Sequence, residues 1–550
     1  MTISLPFRPV ASREPGLAVD RPVATVPATR PGGVGLRYPT RLGEPAALTL
    51  AKAGPRPGIA GTAYDTAWLA SIPADAAGST RFPTALQWLV DNQHPDGSWG
   101  SKIQYEHDRI ISTLAALVPL AEYGRRTVDR DGVADGTRYL WQRSHLLRTE
   151  PVELVATELL LPSLVLRARQ VGISVPLNLD VYKAQRAEKL RLIPQHALYS
   201  PRTTAVHSLE FLGEEADSTS LRKAQGENGG VGNSPAATAY FYTRTQDRRA
   251  LAYLRECQIV AGGTTVPVLA PCETFELVWS AYHLFLAGVP VQRLLTPSEQ
   301  TKLHNGLKSN GVSLSETFPI ADADDTAVAL TLLADVGGPR DAAALHPFAL
   351  PGGNFASFPY ERHPSIGVNL HVLQTLLRSP DFPNRDATLD RLVDYVASQQ
   401  IAEMYWLDKW HISPYYATCH ALCCQRELDP ERARKARPAL ERARAWIRST
   451  QNRDGSWGFY GQPTAEETAY AVLALAAGSR GPVDRADWFH CHHAIHYLLT
   501  TLEPGSNGEA AAYPALWIDK CLYTPTLVVQ SVIEAAFIAF ARLQRAGVEN

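Results

Sequence analysis

The chain has 550 residues, more than one hydrophobic core normally supports, so two domains are expected. Its formal net charge is −2, with 53 lysines and arginines against 55 aspartates and glutamates. Such a balance provides neither a basic surface for nucleic acid nor a broad acidic surface, and we therefore expect no nucleic-acid partner.

The first residues predict no packed structure. Residues 1–45 mix proline, arginine, glycine and valine without helical or strand periodicity, so we expect a flexible N-terminal segment. This segment lacks the apolar run of a signal peptide, and no stretch of eighteen or more apolar residues indicates an integral membrane segment. The seven cysteines are scattered and include no C-x-x-C pair. Together these features predict a soluble, reduced protein of the cytoplasm.

The rest of the chain has a helical pattern. From about residue 45 onward, apolar residues recur at three- and four-residue spacing and are punctuated by glycine and proline, as in the stretch from Thr468 to Ala477. Alternating strand patterns are scarce. The predicted fold class is therefore all-α.

A short repeat occurs twice in identical register. The two copies are Trp88, Gln93, Asp96, Gly97, Ser98, Trp99 and Gly100, and Trp446, Gln451, Asp454, Gly455, Ser456, Trp457 and Gly458. A degenerate copy keeps the spacing at Gln225, Asn228, Gly229, Gly230 and Gly232. We interpret each unit as a helix followed by a glycine turn, in which glutamine and tryptophan tie one helix end to the next. The predicted role is structural.

Three carboxylates are crowded into the stretch Asp322-Ala323-Asp324-Asp325-Thr326-Ala327. Pro319 before it and Gly337 after it predict a helix that begins at these acids, with an aspartate or a threonine as its N-cap. One interpretation is capping alone, because acids are favoured at the positive end of the helix dipole. The other is catalysis, since crowded carboxyls in a partly desolvated site cannot all ionise. At least one would then keep its proton near neutral pH and act as a Brønsted acid.

The acid stretch resembles the D-x-D-D-T-A motif of class II terpene cyclases, which protonate an alkene. Four further stretches resemble the plant and bacterial class II diterpene cyclases in the same chain order. They are Ala63-Tyr64-Asp65-Thr66-Ala67-Trp68, Asn92-Gln93-His94-Pro95-Asp96-Gly97-Ser98-Trp99-Gly100, Asp408-Lys409-Trp410-His411-Ile412-Ser413-Pro414-Tyr415-Tyr416 and Glu466-Glu467-Thr468-Ala469-Tyr470. Five ordered stretches between residues 63 and 470 make the resemblance specific.

The resemblance implies two α/α barrels, each built from paired inner and outer helices, with one barrel inserted into the other. Residues 46–78 and 296–550 would form the β domain, which carries the three acids. Residues 79–295 would form the inserted γ domain. The substrate would fold in the cavity between the two domains.

The resemblance also implies how the reaction starts. Asp324 would be the acid, and Asp322 and Asp325 would support it. Asn369 matches the family asparagine that hydrogen-bonds the catalytic aspartate and orients its proton, which an amide can do because it both accepts and donates.

The residues that end the reaction in the family are only partly matched in this sequence. His207 corresponds to one half of the family's terminating base. Ala261 stands where the family has the asparagine that forms the other half. The identity of the base, and with it the position of the product's double bond, therefore stays open.

Substrate contacts follow from the same resemblance. Lys189 and Lys409 match family positions near the diphosphate end of the substrate. Aromatic faces stabilise carbocations and exclude water, and the densest aromatic segment supplies the implied cavity residues. These are Trp410, Tyr415 and Tyr416. The family uses Mg²⁺, and Glu150 and Glu153 fall in the region of its acidic metal motif, although its dense acidic run is absent here.

The implied function is the cyclisation of geranylgeranyl diphosphate to a bicyclic, labdane- or clerodane-type diphosphate such as copalyl diphosphate. The diphosphate is expected to be retained, because the sequence contains no D-D-x-x-D motif to ionise it. A separate class I terpene synthase would then take the product. Three alternatives stay open: a farnesyl diphosphate (drimenyl-type) cyclase, a squalene-hopene-type triterpene cyclase, and a non-enzymatic α/α toroid that binds a prenylated partner. The toroid would leave the three crowded acids unexplained.

Overall fold

The computed structural model describes residues 58–75, 78–359, 361, 364–478, 484–501 and 513–546. The N-terminal segment predicted to be flexible lies outside the described residues. Helices make up most of the described chain, which confirms the predicted all-α fold class.

The secondary structure consists of helices and two short antiparallel strand pairs. The α-helices span Ala63–Ala70, Pro83–Asp91, Glu106–Tyr123, Thr127–Arg143, Thr157–Gln170, Tyr182–Leu192, Gln195–Leu198, Ser218–Leu221, Pro235–Thr245, Arg248–Val260, Glu273–Leu286, Val291–Leu294, Pro297–Gly306, Ala323–Ala334, Ile366–Leu377, Arg385–Ser398, Pro414–Cys424, Pro430–Ser449, Ala465–Ala477, Arg485–Thr501 and Thr526–Ala546. The 3₁₀-helices span Ser144–Thr149, Leu177–Val181, Thr204–Glu215, Arg222–Ala224 and Ala343–Phe348. The strand pairs are Val312–Ser313 with Ala321–Asp322 and Trp517–Ile518 with Leu522–Tyr523.

Two sets of helices each pack into a closed ring. In each set, every helix contacts the next and the last contacts the first, as in the inner layer of an α/α barrel. The first ring is formed by Ala63–Ala70, Glu106–Tyr123, Thr157–Gln170, Thr204–Glu215 and Pro235–Thr245. The second ring is formed by Glu273–Leu286, Ala323–Ala334, Ile366–Leu377, Pro414–Cys424, Ala465–Ala477 and Thr526–Ala546.

The contacts within each ring place two helices differently from the domain boundaries inferred from the sequence. Helix Ala63–Ala70 lies in the first ring, whereas its residues were assigned to the β domain with the acids. Helix Glu273–Leu286 lies in the second ring, whereas its residues were assigned to the γ domain. The two-domain division stays a prediction, and we propose that its second boundary falls between Val260 and Glu273.

The repeats tie helices together as predicted. In the second copy, the Trp457 indole N–H donates to the carbonyl of Ile447, ten residues earlier, at 2.8 Å. The Gln451 amide donates to the carbonyl of Gly455 in its own turn and to that of His490 on the next helix, both at 2.9 Å. The indole thus satisfies a carbonyl at the end of the Pro430–Ser449 helix, and the amide joins the turn to the Arg485–Thr501 helix.

The structure contains one copy of this tie that the sequence comparison missed. The Trp406 indole donates to the carbonyl of Val396 at 2.7 Å, and the Gln400 amide donates to that of Ala439 at 2.8 Å. Its turn lacks the Asp-Gly-Ser signature, and Ala402 and Glu403 take the left-handed conformation, with φ 47° and 57°, just before Met404, which stands where the other copies have glycine. Glutamine and tryptophan at this spacing therefore form the tie even without the Asp-Gly-Ser turn.

By length and composition alone, the described residues contain one helix, Thr526–Arg545, that is apolar enough to cross a membrane. This helix does not contain eighteen consecutive apolar residues, because polar residues such as Glu534 interrupt its apolar sequence. In the structure this helix packs against Glu273–Leu286 and Ala465–Ala477 and closes the second ring. Its apolar surface therefore belongs to the protein core.

Candidate active site

The three acids lie at the first turn of the Ala323–Ala334 helix. Asp322 is the N-cap, and its Oδ1 accepts the backbone N–H of Asp325 at 2.7 Å. The capping interpretation is therefore correct for one acid. Capping does not account for the side chains of Asp324 and Asp325, which have other partners.

Each of these two carboxylates has an aromatic partner from another helix. Oδ1 of Asp325 accepts the indole N–H of Trp279 at 2.9 Å. Oδ1 of Asp324 lies 2.5 Å from Nδ1 of His371. The Asp324 side chain keeps 12% of its surface exposed, whereas His371 keeps 1%. Asp324 thus combines a buried partner with a carboxyl that is still accessible.

The predicted partner of Asp324 was Asn369, and the structure corrects this assignment. Oδ1 of Asn369 accepts the N–H of Phe355 at 2.8 Å, and its amide donates to the carbonyls of Phe355 and Ser365 at 2.9 and 2.7 Å. Its amide is thus used to fix the backbone. Successive helical residues turn by about 100°, so residues 369 and 371 face different sides of their helix.

The His371 ring also hydrogen-bonds to a second histidine. Its Nε2 lies 2.5 Å from Nδ1 of His420, and both side chains are buried. Burial lowers the pKa of His420 well below its ordinary value, so this ring is neutral. A neutral His420 shares one hydrogen with His371 and thereby fixes the orientation of the ring that contacts Asp324.

Burial and mutual repulsion keep protons on the acid cluster. Burial and then the charge of Asp325 raise the pKa of Asp322 well above its ordinary value. Burial raises the pKa of Asp325 to about 7, with a further contribution from Asp324. This agrees with the argument from crowding, because the cluster holds protons near neutral pH.

The raised pKa of Asp325 predicts a pH-dependent stability. Between its ordinary pKa near 4 and its folded-state pKa of about 7, the folded chain holds a proton that the unfolded chain has released. Stability therefore falls as pH rises through this window.

Asparagine in place of Asp325 does not titrate and still accepts the Trp279 N–H. We expect Asp325→Asn to gain stability over wild type between about pH 4 and 7, on the order of a few kcal/mol, and no further above that range. Thermal unfolding across pH measures this, and a pH-independent difference would contradict it.

Next to the acids lies a cluster of buried rings, here called the aromatic cluster. It comprises Trp279, Tyr282, His283, His371, His411, Tyr416, His420, Tyr470 and Trp517. Trp279 lies at its centre, with ring centroids 5.1 Å from His371 and 5.7 Å from Trp517. Electron-rich faces at this spacing stabilise positive charge.

The two tyrosines predicted to line the cavity, Tyr415 and Tyr416, lie in different surroundings. Tyr416 belongs to the aromatic cluster and stacks on His411 at 4.8 Å. Tyr415 faces away, because it stacks on Trp446 at 4.7 Å and its hydroxyl hydrogen-bonds to Thr450 at 2.9 Å. The structure therefore corrects the assignment of Tyr415, which serves a helix contact instead.

Trp410 and Lys409 lie together beside a loop that precedes the Ile366–Leu377 helix. The Trp410 indole donates to Oγ of Ser357 at 3.1 Å, and its ring packs edge-on against Phe358. The Lys409 ammonium lies 4.9 Å from the centre of the Trp410 ring and forms an ion pair with Glu361.

The second predicted lysine belongs to an acidic group. Lys189 forms an ion pair with Glu158, a residue that sequence reasoning missed. Glu153 accepts the hydroxyl of Tyr182 at 3.0 Å, and burial, together with the charge of Glu158, raises its pKa. Glu150 lies nearby in sequence and accepts a backbone N–H at 3.3 Å.

These carboxylates do not form a complete metal site by themselves. Within the described ranges, no group of three or more His, Cys, Asp or Glu side chains is arranged to hold a metal ion. Mg²⁺ commonly takes one or two carboxylates and completes its shell with water and substrate phosphates. Metal binding by Glu150 and Glu153 therefore stays a prediction.

His207 is buried and both of its ring nitrogens are engaged. Nδ1 donates to the carbonyl of Gly232 at 2.8 Å, and Nε2 lies 3.0 Å from Oδ1 of Asp519. Burial acts against the charged form, but the charge of Asp519 raises the pKa of His207. A ring that donates from both nitrogens has no lone pair for a further proton, so its assignment as the terminating base is not supported. Ala261 ends the Arg248–Val260 helix.

Beside His207 lies a buried ion network that the sequence did not predict. The Lys520 ammonium is fully buried, lies 3.0 Å from Oε1 of Glu210 and 3.7 Å from Oδ1 of Asp65, and donates to the carbonyl of His207 at 3.1 Å. Asp65 belongs to one of the matched stretches. The network joins the turn between the strands Trp517–Ile518 and Leu522–Tyr523 to the first helix ring.

Comparison with known proteins agrees with this arrangement. Residues 361–524 match the family model of the squalene-hopene cyclase C-terminal domain. A type B diterpene cyclase of Mycobacterium tuberculosis is 31% identical over 513 residues, which cover 88% of this chain and 97% of the relative. An ent-copalyl diphosphate synthase of a Streptomyces species is 32% identical over 477 residues, which cover 84% of this chain and 89% of the relative.

A solved structure extends the comparison to the fold. The ent-copalyl diphosphate synthase from Streptomyces platensis superposes with a TM-score of 0.73 at 28% identity, covering 90% of this chain and 98% of that chain. The similarity therefore extends over most of this chain. It confirms the resemblance that the matched stretches indicated. The chain therefore belongs to the class II diterpene cyclases.

Proposed function

We propose that this cyclase converts geranylgeranyl diphosphate into a bicyclic diphosphate and retains the diphosphate group. The observation that carries the proposal is the contact between Asp324 and His371 at the edge of the aromatic cluster. A protonated carboxyl beside electron-rich rings suits alkene protonation, because the cation that forms is stabilised where it appears. The names of the diterpene cyclase relatives support a diterpenoid substrate.

In the proposed mechanism, Nδ1–H of His371 donates to Oδ1 of Asp324, which leaves the acidic proton on the other oxygen. That proton adds to the terminal alkene of the substrate, whose π electrons form the new C–H bond. The next two alkenes attack in turn and close two rings. Loss of one proton from the final cation forms the product's double bond, so atoms and charge balance over the cycle.

We propose that Lys189 and Lys409 bind the diphosphate and that Glu150 and Glu153 hold a Mg²⁺ ion beside it. The ion would supply counter-charge to the diphosphate. Glu158, paired with Lys189, extends this group of carboxylates. On this proposal the substrate displaces the carboxylate partners of both lysines.

Removal of divalent ions should lower the rate. We expect excess chelator to depress turnover and added Mg²⁺ to restore it, because two lysines do not neutralise a diphosphate fully. Glu153→Gln should raise the Mg²⁺ concentration needed for half-maximal rate, whereas Glu188→Gln, on the exposed side of the nearby helix, should not. Unchanged turnover in excess chelator would contradict a metal requirement.

The substrate is tested by direct incubation. The purified protein is supplied with geranylgeranyl diphosphate, farnesyl diphosphate or squalene, and the products are dephosphorylated and identified by mass spectrometry. We expect a bicyclic C20 alcohol from geranylgeranyl diphosphate and far less product from the other two. Preferential conversion of farnesyl diphosphate or squalene would replace the proposed substrate.

Two further features complete the proposal. A product that keeps its diphosphate requires a second enzyme to ionise it, which we propose is a separate class I terpene synthase. We also propose a cytoplasmic location, which is supported by seven cysteines that are all free and buried.

A further inference from the structure

A second buried carboxylate lies in the aromatic cluster, on the far side from Asp324. Glu466 is 1% exposed and sits in the first turn of the Ala465–Ala477 helix. Its Oε1 lies 2.8 Å from the indole nitrogen of Trp517, which donates to it, and 3.1 Å from Nε2 of His411. Its Oε2 is buried and has no hydrogen-bond partner among the described residues.

The histidine beside Glu466 is neutral by geometry. The backbone N–H of Ser413 donates to Nδ1 of His411 at 3.1 Å, so that nitrogen carries a lone pair. Nε2 therefore carries the hydrogen and donates to Glu466. In the described part of the chain, His411 is the only basic side chain within ion-pair distance of Glu466. The carboxylate thus receives two neutral hydrogen bonds and no counter-charge.

Two indole rings, those of Trp279 and Trp517, separate Glu466 from the acid cluster. Trp279 donates to Asp325 and packs edge-to-face on Trp517, which in turn donates to Glu466. On the same side, His411 stacks on Tyr416 with the rings 5° from parallel. The two carboxyl groups therefore flank one set of cation-stabilising rings.

Buried polar atoms are normally hydrogen-bonded, so a buried carboxyl oxygen without a partner among the described residues calls for an explanation. A substrate cation held by the aromatic cluster would supply one. On the proposed function, we infer that Glu466 is a catalytic residue that faces the cyclised cation and takes its last proton.

The step balances. A C–H bond next to the cationic carbon breaks, its electrons form the C=C bond of the product, and the proton passes to Oε2 of Glu466. The two donors to Oε1 fix the carboxyl group, and Oε2 is left without a partner among the described residues. Glu466 then gives its proton to water when the product leaves, and Asp324 regains one from solvent.

The chain contains a matched control at the next residue. Glu467 is equally buried, but its Oε1 accepts the Ser413 hydroxyl at 2.7 Å and the Phe459 N–H at 3.0 Å, and its Oε2 accepts the Thr464 hydroxyl at 2.9 Å. All of its contacts belong to the local fold. Glu467→Gln therefore tests the loss of a buried carboxylate that does not face the cation.

The experiment compares wild type, Glu466→Gln and Glu467→Gln with geranylgeranyl diphosphate, and measures both product ratios and thermal unfolding. Glu466→Gln keeps an acceptor for Trp517 and His411 but removes the base. We expect its yield of the wild-type product to fall at least about tenfold, with hydroxylated or isomeric bicyclic products in its place. Glu467→Gln should keep the wild-type product ratio, even with a lower Tm.

The outcomes separate this inference from the proposed function. A wild-type protein that does not convert geranylgeranyl diphosphate contradicts the proposed function. Wild-type conversion together with an unchanged product ratio in Glu466→Gln overturns the inference, and a shift in His207→Ala alone returns the role to His207. If Glu466→Gln does not fold, Glu466→Asp keeps the charge but withdraws the oxygen by one methylene. A folded Glu466→Asp with the wild-type ratio and rate would equally overturn the inference.

Discussion

Asp324→Asn is expected to lower the turnover of geranylgeranyl diphosphate by at least about a hundredfold. Asparagine keeps the shape of the side chain and an acceptor for His371, but it has no transferable proton. Substrate binding and folding should therefore be nearly unchanged, so that kcat falls and KM does not rise in proportion. Steady-state kinetics with purified protein, together with a thermal unfolding curve, measure both parts of this expectation.

The same substitution at the other end of the helix provides the control. Asp335 is the C-cap of the Ala323–Ala334 helix and forms a partly exposed ion pair with Arg378 at 2.7 Å. Asp335→Asn should turn over at close to the wild-type rate. Normal turnover by Asp324→Asn would show that another group protonates the alkene, and the neighbouring acids would then become the candidates.

Lys520→Met should cause the largest loss of stability in this set. Methionine fills much of the same volume but leaves Asp65 and Glu210 buried without their cation, and all three side chains are 0% exposed in the structure. Breaking a buried ion pair from one side costs about 3–5 kcal/mol, because the remaining charge is left uncompensated. Denaturant midpoints and Tm should fall accordingly.

An exposed lysine provides the comparison for this loss. Lys183 forms an ion pair with Asp180 at 3.2 Å, with its side chain 59% exposed. Such surface pairs contribute less than about 1 kcal/mol, so Lys183→Met should lower Tm little. Equal losses in the two variants would show that the buried network does not hold the strand pair around Lys520 to the first helix ring.

Features that depend on neighbouring residues in the chain could be predicted from the sequence. The helix that begins at the three acids, its aspartate cap and the glutamine and tryptophan ties all arise within one or two adjacent helices. The all-α fold follows from the same local periodicity. Crowding within four positions was also enough to predict that at least one of the three acids keeps a proton near neutral pH, because their separation along the helix is set by the backbone.

Partners that are distant in sequence were decided by the tertiary structure alone. The prediction that Asn369 contacts Asp324 was wrong, because residue 371 on the same helix faces the acid while residue 369 faces a loop. Tyr415 and Tyr416 diverge for the same reason, since adjacent helical residues point about 100° apart. The way in which the two helix rings meet also decides the partner of His207, the cation between Asp65 and Glu210, and the free oxygen of Glu466. The sequence by itself determined the helices, their ties and the acid cluster, because these follow from short-range spacing. The packing of the rings determined which side chains face one another across the site, because such contacts join residues that no local pattern relates.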